Sequence, residues 1–300
     1  MSDKHTSLHT MNADRGLSRP KKVLYLFLNW VNNLFPYTRV DPRIKFEKFA
    51  PENLEDAWQK TYPTSSPARK FSDIFWRTLP WGEIESELGE LLIFDTGCGH
   101  GNYGLRISDG SGSRVKSYTG IDAKRRENWG KLEAEHSNFH FIESRSNDIS
   151  TLIPSETNIF VSQSAIEHFD DDLDFFRQIK EFIDKSRHPI TQIHLFPARA
   201  TLPLYLFHGL RQYTPRTISK ITSLFPDSNV SLYGLGGRKS FWLHFRYFTW
   251  PVLITRHYEK PNLDPSQYEP QLKRAFLADL ARPISSPLFW ALIIRSKGKK

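Results

Sequence analysis

Three glycines at alternate positions, Gly97, Gly99 and Gly101, follow the run Leu91-Leu92-Ile93-Phe94-Asp95 and precede a helix-compatible stretch from Asn102. Glycine there permits positive φ in a tight strand-to-helix turn and lets a ligand touch the backbone. The N–H groups of the following helix then face whatever occupies the turn. Asp95 leads the turn, and Asp122 ends the next strand-like run, where a carboxylate can hold ribose hydroxyls. Asn147-Asp148-Ile149 follows a third run, and Ser162-Gln163-Ser164-Ala165-Ile166-Glu167-His168 tops a fourth. His168 is a candidate general base, with packing or capping as its structural alternative. Asp148 has helix capping as its alternative. Cys98 suits a small apolar position in the turn and not a nucleophile. Asp170, Asp171, Asp172 and Asp174 read as a solvated helix start favoured by the helix dipole, and no metal is expected.

The elements that must position these residues alternate along the chain. Strands are expected at 91–95, 115–122, 139–143, 158–163 and 191–196, with two more at 229–235 and 287–295. The clearest helix is 173–184, whose Phe175, Phe176, Ile179, Phe182 and Ile183 share one face. Strands alternating with helices imply βαβ units and a parallel sheet covered on both faces. A helical pattern over 67–90 breaks at Pro80, and 37–66 reads as irregular. Residues 23–36 read as a short docked helix, with contact to a membrane surface, helped by Lys21 and Lys22, as the alternative. The segment 241–283 is too long and apolar for a turn and reads as an inserted, mainly helical subdomain.

The expected domain organisation is a disordered basic tail over 1–22, an N-terminal extension over 23–66, a catalytic domain over 67–295 carrying the 241–283 insertion, and a basic tail over 296–300. The chain has 300 residues, 39% hydrophobic and 25% charged, which excludes wholesale disorder. The net charge of +8 suggests a polyanionic partner. Its location weakens that suggestion. Lys4, Arg15, Arg19, Lys21 and Lys22 against Asp3 and Asp14 leave +3 over 1–22, and Arg295, Lys297, Lys299 and Lys300 give +4, so the body is near +1. One cysteine excludes an internal disulfide. With no signal-peptide pattern, a cytoplasmic protein is expected.

The residues Asp95-Thr-Gly-Cys-Gly-His-Gly, Gly120-Ile121-Asp122, Asp148-Ile149 and Ser164-Ala-Ile-Glu-His resemble the class I S-adenosylmethionine-dependent methyltransferases over about residues 70–200. That resemblance implies a three-layer Rossmann-like α/β fold, mostly parallel, with an antiparallel last strand inserted beside the fifth. It implies S-adenosylmethionine as cofactor. Asp95 would fix the turn near the methionine amine, and Gly97, Gly99 and Gly101 would let the backbone pass the ligand. Asp122 would accept the ribose hydroxyls, Asp148 the adenine amino group, and the Ile149 N–H would meet the ring. Ser162 would line the methionine end. The loop after the fifth strand would help form the acceptor pocket. Arg199, His208, Arg211 and Tyr213 are its candidates, against a packed helix with buried aromatics. His168 and His208 are the candidate bases. His194 reads as a satisfied core histidine. His244 and His257 give no usable spacing. Arg238 and Lys239, after Gly236-Gly237, read as a solvated turn or a phosphate holder.

The expected activity is methyl transfer to a small-molecule or glycan acceptor on oxygen. The alternatives are an RNA or protein methyltransferase docked through its basic tails, and a non-catalytic partner protein of the same fold. Nucleic acid is disfavoured as partner, peripheral membrane contact through the N-terminal segment stays open, and nothing in the sequence bears on oligomeric state.

Overall fold

The structure, a computed structural model, describes residues 5–146, 148–255, 262–283 and 285–298. Asn147, His257, Lys299 and Lys300 lie outside the described residues. Eight strands form one sheet: β1 (Ile44–Glu47), β2 (Leu91–Thr96), β3 (Val115–Asp122), β4 (Phe139–Glu143), β5 (Ile159–Gln163), β6 (Ile190–Pro197), β7 (Asn229–Leu235) and β8 (Phe289–Ser296). Their order is β1-β7-β8-β6-β5-β2-β3-β4. β8 runs antiparallel between β6 and β7, and the remaining pairs are parallel. This is the sheet that the resemblance implies, with β1 added at one edge. That strand falls in the segment expected to be irregular: four residues with only Ile44 buried offer no alternation to read.

Central strands covered on both faces read as apolar runs, as in the fully buried β6. Alternate residues feed two cores. On one face Ile93, Ile159 and Val161 pack with Phe71, Phe75, Trp76 and Trp129. On the other, Phe94 and Phe160 pack with Phe176, Ile179 and Ile218. The apolar stripe expected over 173–184 covers the second face as the helix Asp172–Lys185, whose N-cap Asp171 accepts from the Asp174 N–H (3.0 Å). The pattern over 67–90 divides into helices Pro67–Arg77 and Trp81–Leu88, with Pro80 at the break.

The segment expected as an insertion is mainly helical where described: Arg238–His244 leads into it, followed by a π-turn Phe245–Thr249, Trp250–Thr255 and Pro265–Leu280. It closes on the first face through Phe276, which stacks on Phe71 with centroids 3.9 Å apart.

The N-terminal region differs from the expected disorder. Thr6, Ser7, His9 and Asn12 are buried. The Thr6 N–H and hydroxyl donate to the Asp172 carboxylate at 3.1 and 2.7 Å, 166 residues away in the chain. Such ordering rests on buried polar bonds with distant partners, which leave no local apolar periodicity. A 16-residue helix, Arg19–Leu34, follows.

Candidate active site

Parallel strands end at β2 and β3 with their C-termini on one edge, and the glycine turn lies there. Gly97, Gly99 and Gly101 have φ of +74°, +55° and +77°, in the region where a side chain is strained. Their surroundings differ. A Cβ on Gly97 would collide with the Ala165 Cβ, and one on Gly101 would meet the Phe141 ring at 2.6 Å. A Cβ on Gly99 meets nothing within 4 Å, so the backbone there faces open space. The Gly99 N–H donates to Asp122 Oδ2 (2.9 Å), and the Trp129 indole donates to the Gly99 carbonyl (2.9 Å). Asp122 also accepts from the Lys124 N–H (3.2 Å) and faces Arg126 at 3.7 Å.

Beneath the turn Asp95 is buried and accepts from the Tyr118 hydroxyl at 2.5 Å. Burial, and secondarily the Asp122 charge, push its pKa up to about 7, while the Tyr118 bond works in the opposite direction. Burial likewise pushes the Cys98 thiol up, so Cys98 is a filler of the turn and no nucleophile. The Thr96 hydroxyl, at the end of β2, is buried without a partner.

The other expected ligand residues are placed less favourably. Asp148 is exposed, and one of its oxygens accepts from both the N–H (2.9 Å) and hydroxyl (2.6 Å) of Ser150, which lowers its pKa. The Ile149 N–H already donates to Gln178 Oε1 (2.7 Å). Ser162 is a correction. It is fully buried, with its hydroxyl 2.8 Å from His194 Nδ1. Alternation along β5 explains this: Val161 lies with Ile93 on the first face, so Ser162 turns to the second, away from Asp95. Gln163, next on the Asp95 face, accepts from the Trp76 indole (2.8 Å) instead. His194 is the core histidine expected, its pKa pushed down by burial to about 3.

The turn Ile166–His168 follows β5 after Ser164 and Ala165, and Ala165 lies against Gly97. His168 Nδ1 is hydrogen-bonded to Asp14 Oδ2, and its ring lies edge-on to His208, centroids 4.6 Å apart. Burial alone would lower His168, but the Asp14 hydrogen bond and the Glu167 charge outweigh it and raise its pKa. His208 is lowered, burial being the main cause. Both Nε2 atoms stand 3.9 Å from Oε1 of the fully buried Glu167. The two candidate bases are therefore brought together by residues that carried no role in the sequence reading. Glu167 adjoins His168 and offered only that signal. Asp14, 154 residues from His168, offered none.

The remaining loop candidates separate. Arg211 and Tyr213 are buried around Asp172, at 3.2 Å and 2.8 Å, so they are structural. Asp172, expected in a solvated helix start, is their buried counter-charge. Arg199 is exposed and lines a groove of about 580 Å³ with Trp30, Leu34, Arg238 and Phe241. The phosphate-holder reading of Arg238 and Lys239 meets a competitor: Asp279 accepts from the Lys239 and Ser240 N–H groups at 3.0 and 2.8 Å. His244 is buried, with its pKa pushed down to about 4.

No protein-family model matches the chain, and no curated protein matches it by sequence. Solved structures similar to it include a plantazolicin methyltransferase crystallised with a monoazolic desmethyl analogue and S-adenosylhomocysteine (14% identity, 82% of this chain and 88% of that one, TM-score 0.46). Another is an S-adenosylmethionine-dependent methyltransferase from Archaeoglobus fulgidus (14%, 81% and 97%, 0.46). A third is described as a sarcosine dimethylglycine methyltransferase from Galdieria sulphuraria (14%, 76% and 86%, 0.44).

Proposed function

We propose that the protein transfers a methyl group from S-adenosylmethionine to a small-molecule or glycan acceptor, on oxygen. The observation that carries this reading is the Gly97–Gly101 turn, open at Gly99 and flanked by Asp122 at the end of β3. The donor set suits the ligand: Asp122 for ribose hydroxyls, the orphaned Thr96 hydroxyl for a polar group, and Asp95 for a cation. A bound cation would favour the ionised form of Asp95 against its burial. Bound there, S-adenosylmethionine supplies a methyl group on a positively charged sulfur. Asp148 reaches the ligand with its unshared oxygen, whereas an Ile149 contact requires Gln178 to release the N–H.

The acceptor side is assigned to the groove lined by Arg199, Arg238 and Trp30, where two guanidinium groups suit an anionic or polyhydroxylated molecule. An Nε2 of His168 or His208 takes the hydroxyl proton, with Asp14 holding His168 through Nδ1. The RNA-docking alternative loses support where tail charges are engaged at home. Arg15 pairs with Asp170, and Arg295 lies 3.7 Å from Glu87. Titration calorimetry with S-adenosylmethionine tests the reading: wild type should bind, and Asp122→Ala should bind at least about tenfold more weakly. No heat with the folded wild type removes it.

A second contact, with an anionic membrane surface, is favoured by the helix Arg19–Leu34. Its asparagines Asn29, Asn32 and Asn33 face inward, while Val23, Leu24, Phe27, Trp30 and Leu34 are exposed beside Arg19, Lys21 and Lys22. Among the described residues no helix is long and apolar enough to cross a membrane. Co-sedimentation with anionic but not zwitterionic vesicles, lost in Phe27→Ser/Trp30→Ser, is the expected outcome.

A further inference from the structure

We infer that Glu167, His168 and His208 form a binding site for a divalent transition-metal ion of the zinc type, with Asp14 as the group that orients His168.

The three side chains offer one ligand atom each, and these atoms all lie within 4.8 Å of one another. The gaps are diagnostic. Each Nε2 is 3.9 Å from Glu167 Oε1, too long for a hydrogen bond, so the imidazoles face the carboxylate without bonding to it. Ligand atoms of a cation with bonds of about 2.0–2.1 Å stand roughly 3.4 Å apart in tetrahedral geometry, so small rotations suffice. Glu167 is fully buried. Its Oε1 accepts from the Ser164 hydroxyl (2.5 Å), and its Oε2 has no partner. A carboxylate buried with an orphaned oxygen is costly unless a cation compensates it.

The surroundings match what a metal site requires beyond its ligands. A metal-bound imidazole usually gives its other ring nitrogen to a carboxylate or carbonyl, which fixes tautomer and orientation. Asp14 does this at His168 Nδ1. His208 is held by its backbone: the Tyr25 hydroxyl donates to its carbonyl (2.9 Å), the Gly209 N–H to Asp14 (3.2 Å), and the Leu210 N–H to the Glu167 carbonyl (2.8 Å). A Cβ on Gly209 would meet that carbonyl oxygen at 2.9 Å, so only glycine brings the two segments this close. Two imidazoles and one carboxylate leave a position for an external oxygen, and both imidazoles are partly exposed. The site stands on its own geometry. Its role rests on the transfer reading: an acceptor hydroxyl held by the ion would have a lowered pKa, and its proton would leave to water while the ion occupies the Nε2 atoms that take it in the metal-free protein.

The test uses full-length protein stripped with chelator, then titrated with Zn(II) alone against a metallochromic dye. Stoichiometric binding is expected. His208→Ala and Glu167→Gln should each weaken it about tenfold or more, and Asp14→Asn should weaken it about tenfold, with Asp170→Asn as an unaffected control. Co(II) should give a ligand-field spectrum that His208→Ala alters. Thermal melts verify folding, and if Glu167→Gln fails to fold, the half-exposed His208 and His168→Ala decide. Absence of binding, or equal affinity in wild type and His208→Ala, overturns the site. Calorimetry of the stripped protein with S-adenosylmethionine is read separately, so loss of the metal site leaves the ligand turn standing, and the reverse.

Discussion

The glycine turn and the Glu167–His168–His208 cluster adjoin one another through Ala165, yet they are assembled in opposite ways. The turn is local. Gly99 bonds Asp122 and Tyr118 bonds Asp95, each across 23 residues within one strand-helix-strand unit. The cluster is gathered from afar: Asp14 meets His168 across 154 residues, and Tyr25 meets the His208 carbonyl across 183. Their carboxylates differ as well. The Asp122 and Asp95 carboxylates are both hydrogen-bonded, whereas Glu167 keeps an orphaned oxygen in a fully buried position. The turn is a backbone cradle fixed by sterics. The cluster is a set of side chains held by a docked N-terminal segment.

The largest expected effect breaks the distant assembly. Asp172→Ala leaves Arg211 buried without its counter-charge and releases Thr6 and Tyr213, so it should cost about 3–5 kcal/mol in urea unfolding. Within the turn the glycines should separate. Gly101→Ala combines left-handed strain with a clash against Phe141 and should cost about 2–4 kcal/mol. Gly99→Ala carries only the strain, about 1–2 kcal/mol, while reducing S-adenosylmethionine affinity in calorimetry. Tyr118→Phe removes one bond to a buried carboxylate and should cost about 1–2 kcal/mol, with the Asp95 pKa moving further up.

The pH dependence runs in opposite directions at two buried groups, His244 in the inserted helices and Asp95 beneath the turn. His244 is lowered from 6.5 to about 4, so its contribution is full above pH 6.5 and is lost as pH falls toward 4. Asp95 is raised from 3.8 to about 7, so its contribution is full below pH 3.8 and is lost as pH rises through 7. Unfolding midpoints compared between wild type and His244→Gln should converge on the acid side. The Asp95→Asn variant should gain on wild type as pH rises from 4 to 7.

The contrast also explains what was legible in the sequence. The β3, β4 and β7 boundaries follow the apolar runs without change, and the glycine turn lies where strand, glycines and helix predict it. Those are short-range signals: period, strand-end acids and glycines, which take positive φ without strain. Ser162 was misplaced because strand alternation sends adjacent residues to opposite faces, and Gln163 holds the face nearer Asp95. Asp14, Thr6 and Tyr25 carry no local pattern at all. Their roles exist only once residues 5–34 have docked against the segments that follow β5 and β6, at Asp172 and His208, and the Arg19–Leu34 helix even inverts the usual rule by burying asparagines. Arg211 and Tyr213 looked like acceptor residues for the same reason: a buried ion-pair network and a binding loop have similar composition.

The claim at the centre is that the Gly97–Gly101 turn binds S-adenosylmethionine while the body around it stays as it is. Amide hydrogen exchange with and without the ligand tests this most directly. Binding should slow exchange at the amides of residues 97–102, and leave the helix Pro215–Thr222 on the second face unchanged. Unaltered exchange across 97–102 at saturating ligand, or protection confined to the second face, would contradict it.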